Sequence, residues 1–177
     1  MSKLEEIASE LAVKMNGKVE KLQGLYTFHF AYEGYSIAGS INKRAFIIEL
    51  RHTGEMIIEC NCDTSLQFKL LPNTFSRRLD LFDEPKILSG NKEFDRAFLV
   101  RSVEKQDMMS WLSQAEVTET IRTLAPLEFL DFHGRVLEYK TAINVDTTST
   151  SLIMDKAKIV FEIAASLEKT FYKEDKM

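Results

Sequence analysis

The chain has 177 residues, 45% of them hydrophobic and 28% charged, with 7 glycines and 3 prolines, a mixture that excludes a disordered protein, a collagen-like fibre and a disulfide miniprotein. The formal net charge of −4 argues against general nucleic-acid or anionic-membrane binding, both of which need clustered basic charge. A chain of this length buries roughly 70% of its unfolded surface, enough for one core without metal or disulfide.

The first segment reads as a helix. Leu4, Ile7, Ala8, Leu11 and Met15 share one face, and Ser2 with Glu5 has the spacing of a capping box. Asn16-Gly17 is a stop, because both residues tolerate the left-handed conformation. The period then changes to two. Tyr26, Phe28, Phe30 and Tyr32 alternate with polar or small residues, followed by Ile37 and Ile41, Phe46-x-Ile48-x-Leu50, Met56-x-Ile58-x-Cys60 and Leu66-x-Phe68-x-Leu70. Gln23-Gly24, Glu33-Gly34 and Thr53-Gly54 supply hairpin turns, so residues 18–71 are expected to form an antiparallel meander.

Residues 72–96 are irregular and contain Arg77-Arg78; so long a connection is either functional or a surface excursion. Ala97 to Arg101 reads as a strand. Two short helices follow, one capped by Ser102 and carrying Met108, Trp111 and Leu112, the other opened by a Ser113–Glu116 capping box and carrying Val117, Ile121 and Leu124. Leu127–Phe132 and Arg135–Thr141 form a hairpin around His133-Gly134. A last helix, capped within Thr147–Ser151, runs to about Phe171. Its stripe of Ile153, Ala157, Val160, Ala164, Leu167 and Phe171 is widened by Leu152, Ile159 and Ile163 on one side and Met154, Phe161 and Ala165 on the other. An apolar arc over more than half the circumference lies in a groove of its own domain or meets another chain. Phe161, Ile159 and Ile163 are therefore candidate self-association residues, with a twofold homodimer as the default partner arrangement.

The expected architecture is a single α+β domain over 1–177. A mainly antiparallel sheet, the meander plus the later hairpin, is backed by the long C-terminal helix, with an N-terminal helix and a short helical pair at its margins. Helix-grip, pleckstrin-homology-like and secretion-chaperone-like folds share a helix packed on such a sheet.

Chemistry-bearing patterns are sparse. Cys60 and Cys62 continue an inward series and read as core thiols rather than metal ligands, and one residue apart they make no structural crosslink. His29, His52 and His133 are scattered. No phosphate loop, G-x-G-x-x-G pattern or Ser/His/Asp spacing is present. The helical pair resembles a DNA-reading motif in outline only, since Arg122 is outweighed by Glu116 and Glu119. No catalytic residue, cofactor or metal is assigned.

Ser89 to Val100 is the one motif-like stretch. Gly90-Asn91 permits a sharp turn, Asp95 can close it, and Phe94 with Phe98 can anchor it. Asp95, Arg96 and Arg101, together with Arg77 and Arg78, are candidate binding residues; the alternative, which is favoured, is a buried buttress containing an Asp–Arg pair. Gly90 to Val100 resembles the Gly-Asp/Asn-x-x-Phe-Asp-x-x-Phe-x-Val pattern of assorted uncharacterised bacterial and archaeal proteins, a resemblance that brings no activity with it.

The N-terminus lacks the apolar core of a signal peptide, and no apolar run approaches the roughly 20 residues of a membrane span. The expectation is a soluble cytoplasmic protein that binds neither nucleic acid nor membrane. Two functions fit. One is a non-catalytic binding or adaptor module that self-associates, with an unknown protein or small-molecule partner. The other is a small-ligand binder or enzyme, with a pocket between sheet and C-terminal helix lined by Tyr26, Tyr32, Tyr35 or Tyr139.

Overall fold

The computed structural model describes residues 2–37, 40–73 and 86–171. The chain opens with the helix its cap foretells. Ser2 Oγ accepts from the Glu5 N–H, and the Glu5 carboxylate accepts from the Ser2 N–H at 2.8 Å, so α1 (Lys3–Lys14) starts with two free donors satisfied. Asn16, at φ 46°, ends it. Four strands follow in hairpin sequence: β1 (Lys18–Leu22), β2 (Leu25–Ile37), β3 (Ser40–Arg51) and β4 (Glu55–Asn61). The β1–β2 turn carries positive φ at both Gln23 and Gly24, the conformation that matches strand twist. A Cβ on Gly24 would lie 2.4 Å from Cδ2 of the exposed His52 ring, which can turn aside, so it is the positive φ that calls for glycine here.

The remaining elements are β5 (Phe68–Pro72), β6 (Lys86–Ile87), α2 (Lys92–Ala97), β7 (Phe98–Arg101), α3 (Lys105–Leu112), α4 (Ala115–Thr123), β8 (Phe129–His133), β9 (Val136–Ala142) and α5 (Thr150–Phe171). All strands join one antiparallel sheet in the order β1-β2-β3-β4-β9-β8-β5-β7-β6. The α+β class read from the sequence is thus the observed one.

Three sequence expectations are corrected. The meander ends at β4, because the β8–β9 hairpin inserts between β4 and β5, and β5 pairs with β8 and β7 instead. Alternation marks a strand but does not name its neighbour. Glu33-Gly34 is no hairpin turn: β2 runs on to Ile37, and the extra residue forms a bulge between Glu33 and Tyr35. Neither serine caps its expected helix. Ser113 donates from Oγ to the Ser110 carbonyl, and Gln114 occupies the cap of α4. Ser102 donates to the Gln67 carbonyl and accepts from the Glu104 N–H, fastening the end of β7 to the approach of β5.

The core lies on one face of the sheet. Phe28, Phe46, Ile48, Ile58, Leu137, Tyr139, Leu130, Phe68, Leu70 and Val100 share it with Leu4, Ile7 and Leu11 of α1, Phe94 of α2, Trp111 of α3 and Ile121 of α4. Trp111 is fully buried, packs 5.5 Å from the Phe68 ring and donates from Nε1 to Ser166 Oγ at 3.0 Å, tying α3 to α5. Lys156 of α5 donates to the Thr123 and Ala125 carbonyls and so caps the end of α4.

Most of the wide apolar arc of α5 is covered from within the chain, between β4 and β9 on one side and α4 and α1 on the others, while Leu152 in its first turn stays exposed. Phe161 and Ile163 are each 1% exposed, Phe161 stacks on Phe46 at 6.1 Å, and Ile159 is half-buried. Phe161 and Ile163 therefore present no face to a second copy in this fold. Accordingly, Phe161→Glu should destabilise the protein by about 4 kcal/mol or more, since it buries an unpaired charge and removes a core ring. Urea unfolding measures this; a midpoint equal to that of the wild type would contradict the packing.

Candidate functional site

The Ser89–Val100 stretch is a braced turn leading into a short helix. Asn91 Oδ1 accepts from the Glu93 and Phe94 N–H groups and caps α2, a helix hidden from periodicity by its six-residue length. Asp95 Oδ1 accepts from both the N–H and the hydroxyl of Ser89, each at 2.8 Å. Phe94 and Phe98 are buried with ring centroids 5.0 Å apart. The buttress is present, but the expected Asp–Arg pair is not: among the described residues, Asp95 bonds to Ser89, which offers two donors from within the same turn. Arg96 is exposed, and its carbonyl accepts from Asn73 Nδ2. Arg101 is 9% exposed and lies on the sheet face opposite Val100. Arg77 and Arg78 lie outside the described residues.

Cys60 and Cys62 are free thiols, 0% and 2% exposed, facing the core as their register implies. Burial pushes the Cys60 thiol up to about 12 and raises that of Cys62 as well, so neither is a ready nucleophile. Beside them is a feature that the patterns above do not name. Arg44 of β3 and Glu168 of α5 form a buried bidentate ion pair, Nη1–Oε1 2.6 Å and Nη2–Oε2 2.5 Å. Arg44 Nη1 also donates to the Asn61 carbonyl, the Asp63 N–H donates to Glu168 Oε1 at 2.6 Å, and the guanidinium lies 5.3 Å from the Phe161 ring centre. Burial alone would lower the Arg44 pKa, but the hydrogen bonds and charge of Glu168 outweigh it and the pKa is raised. A signal existed. Arg44 continues the inward series of Phe46, Ile48 and Leu50, and Glu168 falls inside the apolar arc of α5, so opposite charges interrupt two core-facing patterns.

The other candidates are dispersed. His29 and His133 are exposed, and His52 meets the Tyr26 ring edge-on. Among the described residues no group of three or more His, Cys, Asp or Glu side chains is placed to hold a metal. Tyr26 and Tyr139 are core residues, and Tyr139 donates to the Leu124 carbonyl; burial pushes its phenol up to about 12. Tyr32 and Tyr35 lie where the backbone alone is described. A shallow groove of roughly 340 Å³ runs between α1 and residues 146–151, where Glu10 accepts from the Thr150 hydroxyl. It lies away from the sheet–α5 interface.

What the fold does assemble is the second face of the sheet. The described helices all pack on the core side, and the ladder registers place one transverse row across the other. It reads Lys18, His29, Ile47, Glu59, Glu138, Asp131, Lys69, Arg101 and Lys86, one residue from each strand. Three carboxylates on β4, β9 and β8 stand next to three cations on β5, β7 and β6. Lys69 and Asp131 meet where the sign changes, at 3.5 Å. A neighbouring row is locked by Arg51 with Glu49 and Glu55, and by Lys140 with Glu55 and Glu128, around the buried Ile57. Glu59 and Glu138 take no ion-pair partner among the described residues.

Glu138 records the crowding. Partial burial first, then the charges of Glu59 and Asp131, raise its pKa above the usual carboxylate range, while His133 and Lys69 pull it down less strongly. A raised folded pKa means that native stability is favoured by the protonated acid and falls as pH rises through that pKa. Glu138→Gln should therefore stabilise the protein at pH 7 by about 0.5 kcal/mol, the scale of a cross-strand like-charge contact, and the gain should vanish towards pH 4. Denaturant titrations at the two pH values check this; a destabilised Gln variant at pH 7 would contradict it.

Comparison with known proteins adds the fold's company. No protein-family model matches the chain, and no curated protein matches it. Among the described residues no helix is long and apolar enough to cross a membrane. Among solved structures, the chain is similar to the mycobacterial trehalose monomycolate transport factor A, TtfA, with a TM-score of 0.62 and 12% sequence identity over 97% of each chain. At that identity the likeness is one of fold alone.

Proposed function

We propose that the protein is a non-catalytic binding module whose docking surface is the sheet face that the described helices leave open. The observation that carries this reading is the polarised row, in which half-buried Glu59, Glu138 and Asp131 stand on adjacent strands and Lys69, the buried Arg101 and the exposed Lys86 continue it with the opposite sign. Such an arrangement fixes the direction in which a partner of opposite polarity lies across the strands, and charge complementarity contributes orientation and encounter rate. Half-buried Ile47, Phe129 and Val136 supply apolar contact among the charges. The buried thiols, the buried ion pair and the dispersed histidines favour binding over chemistry. The fold likeness to a transport factor is compatible with a carrier or adaptor role and names no cargo.

The test is a quantitative pull-down with three forms of the protein: the wild type, Glu59→Lys/Glu138→Lys on the sheet face, and Asp155→Lys/Lys158→Glu on the exposed side of α5. A partner bound by the wild type and the helix variant, but about ten-fold more weakly by the face variant and with a shallower salt dependence, supports the reading. Binding indifferent to the face reversal, or turnover of a small substrate, would overturn it.

A further inference from the structure

Beyond Phe30 the β2–β3 pair outruns its neighbours. β1 pairs with β2 from Leu25 to His29, and β4 pairs with β3 from Phe46 to Arg51. The β2–β3 ladder continues through Glu33↔Lys43 and Tyr35↔Asn42 to Ile37↔Ser40. Among the described residues, this extension has no third strand on either side. A two-stranded ribbon is marginally stable in water by itself.

Its two edges differ. On the β3 side, Arg44 reaches the Asn61 carbonyl and Glu168, which also takes the Asp63 N–H, so the chain leaving β4 runs alongside. On the β2 side, the chain arrives at Gly17, where a Cβ would lie 2.8 Å from the His29 carbonyl oxygen, and turns away into β1. Among the described residues nothing pairs with Ala31 to Ile37, an edge about 23 Å long at roughly 3.3 Å per residue.

Sheets protect open edges with charge, proline or shortness. The two outer strands of this sheet obey. β1 carries Lys18, Glu20 and Lys21 among its five residues, and β6 has two residues. The segment Ala31-Tyr32-Glu33-Gly34-Tyr35-Ser36-Ile37 has one charge, no proline and two tyrosines, and its one protective device is the bulge between Glu33 and Tyr35.

We propose that this edge is completed by the same edge of a second copy, in a twofold antiparallel pairing that joins two ribbons into one four-stranded sheet. Charge selects the occupant. The protein carries −4 overall, so copies repel across most of their surface. In the ribbon, Glu33 stands opposite Lys43 in the register, and Arg44 is neutralised by Glu168. A neutral edge meets its own copy without electrostatic cost, whereas a charged peptide finds no counter-charge there. The edge Ala31–Ile37 gives seven residues a side, below the roughly 20–30 of a standard interface, so the dimer is reversible rather than obligate. Self-association thus belongs to the ribbon and not to Phe161, Ile159 and Ile163, and it does not depend on the sheet-face reading.

Sedimentation equilibrium over the micromolar range should give a mass that rises from monomer to dimer. Ala31→Lys/Ser36→Lys should weaken association about ten-fold or more, because like charges then face each other across the twofold contact. Its unfolding midpoint should stay near that of the wild type. Native thiols are buried, so a single introduced cysteine can be crosslinked selectively with a bis-maleimide spanning roughly 17 Å, the five residues that separate the two copies of position 36 when Ala31 faces Ser36. Ser36→Cys should give covalent dimer and Lys86→Cys, at the far edge of the sheet, should not. A monomer at every concentration, a dimer unmoved by the lysines, or crosslinking at position 86 in preference to 36 would overturn the proposal. If the Lys variant fails to fold, the crosslinking comparison alone decides.

Discussion

The ion pair between Arg44 and Glu168 is the constraint on which the placement of α5 rests. Taking a guanidinium and a carboxylate out of water costs several kcal/mol per ion, and attraction repays this when geometry is good and the remaining donors and acceptors are filled. Here the contact is bidentate, and the Asn61 carbonyl and Asp63 N–H add to it, leaving Arg44 Nε as the one guanidinium nitrogen without a partner among the described residues. A shift of α5 by one residue would carry Glu168 away from all of these partners. Apolar packing of Ile153, Val160 and Ala164 tolerates small slides better than a fork of two short hydrogen bonds does. The pair therefore fixes where the last turns of α5 meet β3 and the end of β4, and it holds Phe161 and Cys62 in place beside it.

That arrangement divides the labour of the sheet. Once α5 is fastened across β4 and β9, α1, α3 and α4 close the core around it, and burial on that face is complete. The opposite face buries less: Ile57, Leu71, Leu99 and Arg101 are covered there, and most of its other side chains reach water. Its alternation puts charged side chains outward, and the strand order, with β8 and β9 inserted between β4 and β5, brings three acidic strands beside three basic ones. With the hairpin at the end of the meander, as the alternation alone allows, β4 would pair with β5 and Glu59 would have no Glu138 beside it. Topology, more than composition, creates the polarised surface.

The elements were legible where local chemistry decides them. The Ser2–Glu5 cap, the positive-φ turn at Gln23-Gly24, the hairpin around Gly134 and the inward Cys60 and Cys62 all follow from residues within a few positions of one another. Strand order was not legible, because β4 and β5 carry the same alternation whether or not they touch. Glu33-Gly34 misleads because a glycine that supplies a turn can equally supply a bulge. The Asp95–Arg pair fails for a related reason: the nearer Ser89 donors compete successfully for one carboxylate. Arg44 and Glu168, 124 residues apart, were each visible as a charge in an apolar pattern, but one such break does not name its partner. The likeness to a solved transport factor extends the fold and not the residues, since 12% identity transfers no side-chain role.

A double-mutant cycle on the buried pair tests this account most directly. Arg44→Met and Glu168→Leu should each lose about 3–5 kcal/mol, because each strands an uncompensated buried charge, whereas the double variant should lose far less than the sum. A coupling of this sign and size, measured by urea unfolding, is what a pair that positions α5 requires. Single variants close to wild-type stability, or losses that simply add, would show that apolar packing alone places the helix.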